Sequence, residues 1–317
     1  MKNQYVSELE SGQVVTDKFV LSKKIMKEKK DGGTYAMLEF TDQSGSIEGI
    51  AWHSVSEDIK KLSVGDFVYV TGNVNEYNDK LEIVVNSIHR LSEDEIEPAD
   101  FLPKCDEDVD EVMTEINEFR AKVSNSYLKK LLELFFEDET FIDNFRLAPA
   151  AKKAHHAYLG GLAVHTLNIL RLISGIQSVY KFLNFDLLIT STILHDIGKI
   201  HEYLYKKKID LSTRGKMLGH IIISYEMVAE KIDKVPRFPE DLRLKLLHMI
   251  VSHHGEVEWG SPKLPMFPEA LILHFIDNLD SKIEMMMNEL KKNRGKQKEW
   301  SDYHPYLERE IYLREEK

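Results

Sequence analysis

The sequence predicts a multidomain chain, a small antiparallel β-barrel followed by an all-α domain. Three observations carry that prediction. Apolar and polar residues alternate through residues 1–92, an acidic and proline-bearing segment then interrupts, and from there onward apolar residues recur at helical spacing with histidines crowded among them. A length of 317 residues suits one large or two ordinary domains, each with its own hydrophobic core. An apolar content of 43% with 30% charged residues is that of a soluble globular protein.

The strands come first. In "TYAMLEF", Ala36, Leu38 and Phe40 share one face, and Tyr35, Met37 and Glu39 the other. "DFVYVTG" turns Val68 and Val70 inward and Tyr69 and Thr71 outward, and "KLEIVVNSI" follows the same rule with a more apolar interior. Turn-forming clusters separate these runs: "KKDGG", "TDQSGS", "SVGD" and "NEYNDK". Short strands at this spacing build small barrels. The stretch from Gly12 to about residue 90, with "LEFTDQSGSIEGIAW" and "VGDFVYVTGNV" as its characteristic phrases, resembles an OB-fold of the tRNA-anticodon-binding type. An SH3-like or other small barrel is the competing architecture.

"LSEDEIEPADFLPKCDEDVDE" reads as a linker, and residues 93–148 as an acidic linker with connecting helices. Residues 149–317 then form the second domain, ending in C-terminal helices. The composition limits what such a chain can do. A net charge of −11 argues against coating nucleic acid by bulk electrostatics, without excluding a local basic groove. The single cysteine, Cys105, excludes an internal disulfide and fits a reducing compartment. No apolar run approaches the ~20 residues that span a bilayer, and "MKNQYVSELESGQ" has no apolar leader core, so a cytoplasmic location and no membrane partner are expected.

Ten of the 13 histidines fall between positions 155 and 274. His165 lies on one helical face with Leu162, Ile169 and Leu172, where a buried, hydrogen-bonded histidine is the plain alternative to a ligand. "TILHDIGKI" ends the next apolar helix with His195 and Asp196, and a buried aspartate is costly unless paired or bound to a cation. His220, the pair His253 and His254, and Asp277 each interrupt or end a further apolar helix. Imidazoles and carboxylates without thiolates suit Mn, Fe(II), Co or Zn at a hydrolytic centre. Neighbouring helical positions point about 100° apart, so His195 and Asp196 can approach one ion from different sides while the carboxylate keeps an oxygen for another. Gly198 is expected to let the chain turn. Lys199, expected at the mouth of the site, either holds a substrate phosphate or is a solvated helix-end lysine. His155 and His156 either line the pocket or cap the helix, and His274 and Asp280, three residues either side of Asp277, are placed to support it.

The order H…HD…H…HH…D over residues 150–290 resembles the HD superfamily of metal-dependent phosphohydrolases, an all-helical fold. The resemblance implies a divalent metal site, with Mn2+ favoured and Fe2+, Co2+ or Zn2+ as alternatives; the extra histidines between the HD pair and the last aspartate, which the minimal family pattern lacks, favour two ions. His165, His195, Asp196 and Asp277 would hold one ion, and Asp196 would bridge to a second completed by His220 and His253 or His254. The catalytic residues are then Asp196 and Lys199. The basic run "YKKKIDLSTRGK" places Lys206, Lys207, Lys208, Arg214 and Lys216 before His220, as either a phosphate-gripping loop or a solvated surface. On the barrel, outward Tyr35, Trp52 and Tyr69, with Lys23, Lys24, Lys27, Lys29 and Lys30 in the loop before Tyr35, suit a single strand. His156, Lys207, Arg214 and Lys216 complete the substrate-binding set.

The two-domain order together with "AHHAYLGGLAVHT" resembles the YhaM family of 3'-5' exoribonucleases across nearly the whole chain. That resemblance implies manganese-dependent hydrolysis of single-stranded RNA, or single-stranded DNA, to nucleoside monophosphates. Two other functions fit parts of the sequence: an HD phosphohydrolase of nucleotides or cyclic dinucleotides, and a non-catalytic nucleic-acid-binding regulator. "HHGEVEWGSPKLPMFP" lacks the Gly-Tyr-Pro that follows the histidine pair in the cyclic-dinucleotide branch. The acidic chain is compatible with a monomer or a homo-oligomer.

Overall fold

A 15-residue first strand sets the barrel. The first half of β1 (Val14–Glu28) pairs with β4 (Phe67–Tyr77) and its second half with β2 (Thr34–Asp42), with a bulge between Leu21 and Lys23 that bends it from one partner toward the other. β3 (Gly45–Ala51) returns along β2 after a tight turn, and β5 (Lys80–Arg90) pairs with both β4 and β3, closing the order β1-β2-β3-β5-β4. The β3–β5 seam, Glu48–Ala51 against Glu82–Val85, is parallel, so the expected antiparallel barrel carries one parallel joint. Alternation fills the interior as the sequence predicts, with Ala36, Leu38, Phe40, Val68, Val70, Ile83 and Val85 buried. A short helix α1 (Ser56–Lys60) adds Ile59 to that core. Lys23, Lys24 and Lys27 belong to β1 itself rather than to a loop.

This computed structural model describes residues 2–28, 33–52, 56–78, 80–152, 154–205, 208–296 and 298–314. They divide into two units, residues 1–104 with 205–208, and 105–204 with 209–317. Among the described residues no helix is long and apolar enough to cross a membrane.

The second unit is helical. Its leading helices α2 (Val109–Ala121), α3 (Ser126–Phe136) and α4 (Glu139–Leu147) start at Asp108, Asn125 and Asp138, whose side chains accept the orphan amides of the first turn. α5 (Gly161–Ile176) begins from Gly160 in a left-handed conformation, φ 84°. Its buried face runs through Ile169 and Ile173, leaving Leu172 exposed rather than aligned with His165. α6 (Phe185–Leu194) is buried on every side from Leu187 to Leu194, which makes it the central helix. A four-residue turn α7 (Lys199–Glu202) and the two-residue strands β6 (Tyr203–Leu204) and β7 (Asp210–Leu211) lead into α8 (Thr213–Asp233). α9 (Glu240–Ser252) and the long α10 (Pro268–Asn293) complete the unit.

Helix was expected to continue to the C-terminus. Instead Gly295 takes φ 78°, and residues 299–313 fold back as a hairpin with bridges Trp300–Tyr312 and His304–Arg309. Leu307 and Ile311 pack it onto Met285 of α10.

Candidate metal centre

The central helix delivers the site. His195 is the residue that caps the C-terminus of α6, and His253 occupies the same position on α9. Helix C-termini leave carbonyls without intrahelical partners. Each histidine turns its Nδ1–H back to such a carbonyl three residues earlier, His195 to Thr192 and His253 to Ile250, both at 2.7 Å. A carbonyl only accepts, so Nδ1 carries the proton and the Nε2 lone pair faces inward. His254 repeats the device with the Trp259 carbonyl at 2.8 Å. His165 is anchored through Nδ1 to Asp280 Oδ2 at 2.7 Å, and His220 to Glu202 at 3.1 Å.

Five imidazole Nε2 atoms and two carboxylates therefore converge. Asp196 Oδ2 lies 3.5 Å from His165 Nε2 and 3.3 Å from His195 Nε2, while Asp277 Oδ1 lies 3.2 Å from His165 Nε2. Asp196 Oδ1 faces the other way, 3.4 Å from His220 Nε2 and 3.5 Å from His253 Nε2. His254 Nε2 is 3.2 Å from His220 Nε2. The sequence left His253 and His254 as alternatives; here both join the second group.

The donor set can be tested for fit to a cation. Among the described residues, His165 Nε2, His195 Nε2, His253 Nε2 and Asp196 Oδ1 are buried polar atoms without a hydrogen-bond partner. An unpaired buried polar atom costs about 1–3 kcal/mol, so three imidazole nitrogens and the carboxylate oxygen they surround are not a relaxed core. Ligands about 2.0–2.2 Å from an ion stand roughly 3–3.5 Å apart, which is the spacing seen. The residues fit a divalent metal.

Electrostatics agree. Burial opposes charge on Asp196, but the Lys199 ammonium and the His195 and His165 imidazoles outweigh it and hold the carboxyl well below its usual range. Asp277 is held down likewise, burial being overcome by His165 and then by His195 and His253. Burial also opposes charge on His165, yet Asp196, Asp277 and Asp280 raise its pKa well above the ordinary value. Burial, with His253 and His220 nearby, lowers His254 to about 3 and keeps it a neutral donor.

Among the supporting residues Glu202 carried little signal in the sequence, whereas Asp280 and His274 were expected to support Asp277 and instead serve His165 and His253. Glu202 is buried and holds both the backbone N–H, at 3.0 Å, and Nδ1 of His220. That grip is available because α8 breaks at Gly219, φ 71° and ψ 160°, freeing the His220 amide from the helix. Asp280 binds His165, His156 at 2.9 Å and Asn168 at 3.0 Å. His274 donates to the His253 carbonyl at 2.9 Å, and a Cβ on Gly255 would lie 2.2 Å from its ring, which explains the glycine after the histidine pair.

Four expectations are corrected. Gly198 has ordinary helical angles, φ −61° and ψ −21°, so it is not needed for a turn; a Cβ there would meet the His220 carbonyl at 2.2 Å, and glycine lets α8 approach. Lys199 is buried, with its ammonium 2.5 Å from Asp196 Oδ2, rather than a solvated helix-end residue. His156 is also buried, both ring nitrogens being taken by Tyr158 and Asp280, so it supports His165 instead of facing substrate; His155 lines the cavity. Arg214 and Lys216 are helical residues of α8, and Arg214 is paired with Glu226 at 2.7 Å. Lys206, Lys207, Lys29 and Lys30 lie outside the described residues.

On the barrel, Tyr35 and Trp52 form a pair with ring centroids 5.8 Å apart, and Lys27 is the cross-strand partner of Tyr35. Lys23 is exposed. Lys24 is committed elsewhere, its ammonium donating to the carbonyls of Ile59 and Leu62. Tyr69 keeps its outward parity but stacks on His89 at 5.3 Å and packs beside Phe67 and Phe101, so much of its face is covered.

Residues 19–91 match the family described as an OB-fold nucleic acid binding domain, and residues 162–282 the HD domain. All seven converging side chains lie within the second match. A 3'-5' exoribonuclease YhaM of Geobacillus sp. (strain WCH70) is 33% identical over 280 residues, covering 87% of this chain and 85% of the relative. The protein of the same name from Bacillus subtilis (strain 168) is 34% identical over 265 residues, covering 83% of each.

Proposed function

The chain belongs to the YhaM 3'-5' exoribonuclease family, and from that premise we propose that it shortens single-stranded RNA from the 3' end at a two-ion metal centre, releasing nucleoside monophosphates. The observation that carries the reading is the opposed use of the Asp196 oxygens, Oδ2 toward His165 and His195 and Oδ1 toward His220 and His253. One ion is assigned to His165, His195, Asp196 and Asp277, and the other to Asp196, His220, His253 and His254, with Mn2+ the ion of choice for this thiolate-free set. Divalent ions held by these residues would supply Lewis acidity toward a phosphodiester and toward water.

The chain's own residues do the rest. The Nδ1 anchors fix each imidazole in the donor tautomer before any ion arrives. Asp280 and Glu202 orient His165 and His220. Lys199, buried on Asp196 and lining the same cavity, is the cation for a non-bridging phosphate oxygen. The barrel contributes strand affinity through the Tyr35–Trp52 pair with Lys23 and Lys27, a stacking surface beside backbone-neutralising charge.

The test is incubation with a 5'-labelled single-stranded RNA, with and without Mn2+, resolving products over time. A metal-dependent ladder shortening from the 3' end is expected. Asp196→Ala should lower turnover by about 10³-fold, ~4 kcal/mol of barrier, while strand binding persists. A strand left whole with every divalent ion, or undiminished turnover in that variant, overturns the proposal.

A further inference from the structure

The cavity that opens onto Asp196 and Asp277 has walls that no ion requires. Its volume is about 550 Å³, within the roughly 300–1,000 Å³ of pockets that enclose small organic ligands. One wall is the turn Val257–Trp259, a second is α10 at Asn278, Ser281 and Lys282, and a third is the tip of the C-terminal hairpin with Tyr306 and Arg309. The hairpin lies beyond the residues matched by the HD family. It is nonetheless firmly held. Ser301 N–H donates to the Ile311 carbonyl and His304 N–H to the Arg309 carbonyl, both at 2.9 Å, and Leu307 is buried against Met285.

The lining chemistry is specific. Trp259 is tied to the metal centre, because its carbonyl anchors His254, yet half of the residue remains exposed. Lys282 Nζ stands 5.4 Å from the indole centroid. Tyr306 is 65% exposed at the hairpin tip, where Glu308 adopts a left-handed φ of 54°. Two partly exposed aromatic rings and the cations Lys282 and Arg309 thus line one chamber with the candidate ligands. Aromatic faces take nucleobases by stacking with little regard to sequence, and side-chain cations take phosphate oxygens.

We propose that this cavity is a nucleotide subsite, in which Trp259 and Tyr306 stack on a base and Lys282 and Arg309 face phosphate oxygens. It rests on the exonuclease reading only in identifying that nucleotide as the 3'-terminal one. Such contacts read a π-face and a phosphate, so the subsite would take a strand end with little regard to its sequence.

Calorimetry on the full chain with Mn2+ tests it without turnover, using adenosine 5'-monophosphate and ribose 5-phosphate as probes. The monophosphate should bind roughly tenfold tighter, as expected for one base stacked on an aromatic side chain. Trp259→Ala and Tyr306→Ala should each pull that ratio toward one while ribose 5-phosphate binds as before. Trp259→Phe, which keeps a ring, should retain most of the ratio, and Lys282→Ala should weaken both probes alike. No binding of the monophosphate, equal affinity of the unaltered chain for both probes, or a ratio that survives both alanine variants overturns the subsite. A base preference in a protein that leaves RNA whole upholds the subsite and sinks the exonuclease reading. RNA shortening without base preference does the reverse.

Discussion

Both units bury aspartates, and they treat them in opposite ways. In the barrel, Asp17 accepts the backbone N–H groups of Asn3 and Gln4 at 2.6 Å, Asp42 those of Val6 and Ser44, and Asp100 that of Lys2 with the Tyr5 hydroxyl. These carboxylates replace lost water with donors and stitch the N-terminal segment to the strands. In the helical unit, Asp196 accepts from the Lys199 ammonium at Oδ2 alone, while its Oδ1 faces imidazole nitrogens and has no hydrogen-bond partner. A carboxylate whose oxygens all meet donors is structural; one with an oxygen turned toward other acceptors is placed to hold a cation. All the unpaired buried polar side-chain atoms among the described residues belong to the helical unit, so the contrast separates the region that holds shape from the region that holds chemistry.

The largest way to break that comparison is the metal itself. Raising Mn2+ to 100 times its dissociation constant should stabilise the protein by about 2.7 kcal/mol, seen as a rise in melting temperature that Asp196→Ala abolishes. An unmoved transition would mean that the converging acceptors are not a cation site. Next comes Asp280, which holds His165, His156 and Asn168. Asp280→Asn should weaken Mn2+ binding by roughly 10–100-fold, measured by equilibrium dialysis, with the fold intact by circular dichroism. Undiminished affinity would show that His165 needs no such anchor. The smallest effect sharpens the other side. Asp17→Ala should cost about 1–2 kcal/mol of stability in denaturant titration, leaving the amides of Asn3, Gln4 and Lys18 without this acceptor, while hydrolysis of a small phosphodiester stays unchanged. A loss of hydrolysis there would erase the distinction between the two kinds of buried aspartate.

Much of the centre was legible because metal ligands must be particular residue types and had to interrupt apolar helices to reach the core. His165, the His195–Asp196 pair, His220, His253, His254 and Asp277 could be picked out on that ground. What was not legible were the partners that aim them. Backbone carbonyls of Thr192, Ile250 and Trp259 leave no trace in side-chain chemistry, and Glu202 looks like any surface glutamate until α8 breaks at Gly219. The barrel was read well where burial alternates and poorly at its lysines, since whether Lys24 meets solvent or the carbonyls at the end of α1 depends on how that helix lies.

The sequence by itself determined the two architectures, their order and the chemical type of the candidate ligands, because period-two and period-3.6 patterning and the scarcity of buried imidazoles are local properties. Tertiary structure alone decided which oxygen of Asp196 faces which histidines, that His156 is a support, and that a hairpin from the chain's end walls the cavity. Those outcomes depend on the meeting of side chains far apart in sequence, and no spacing along the chain encodes the direction in which a ring nitrogen points.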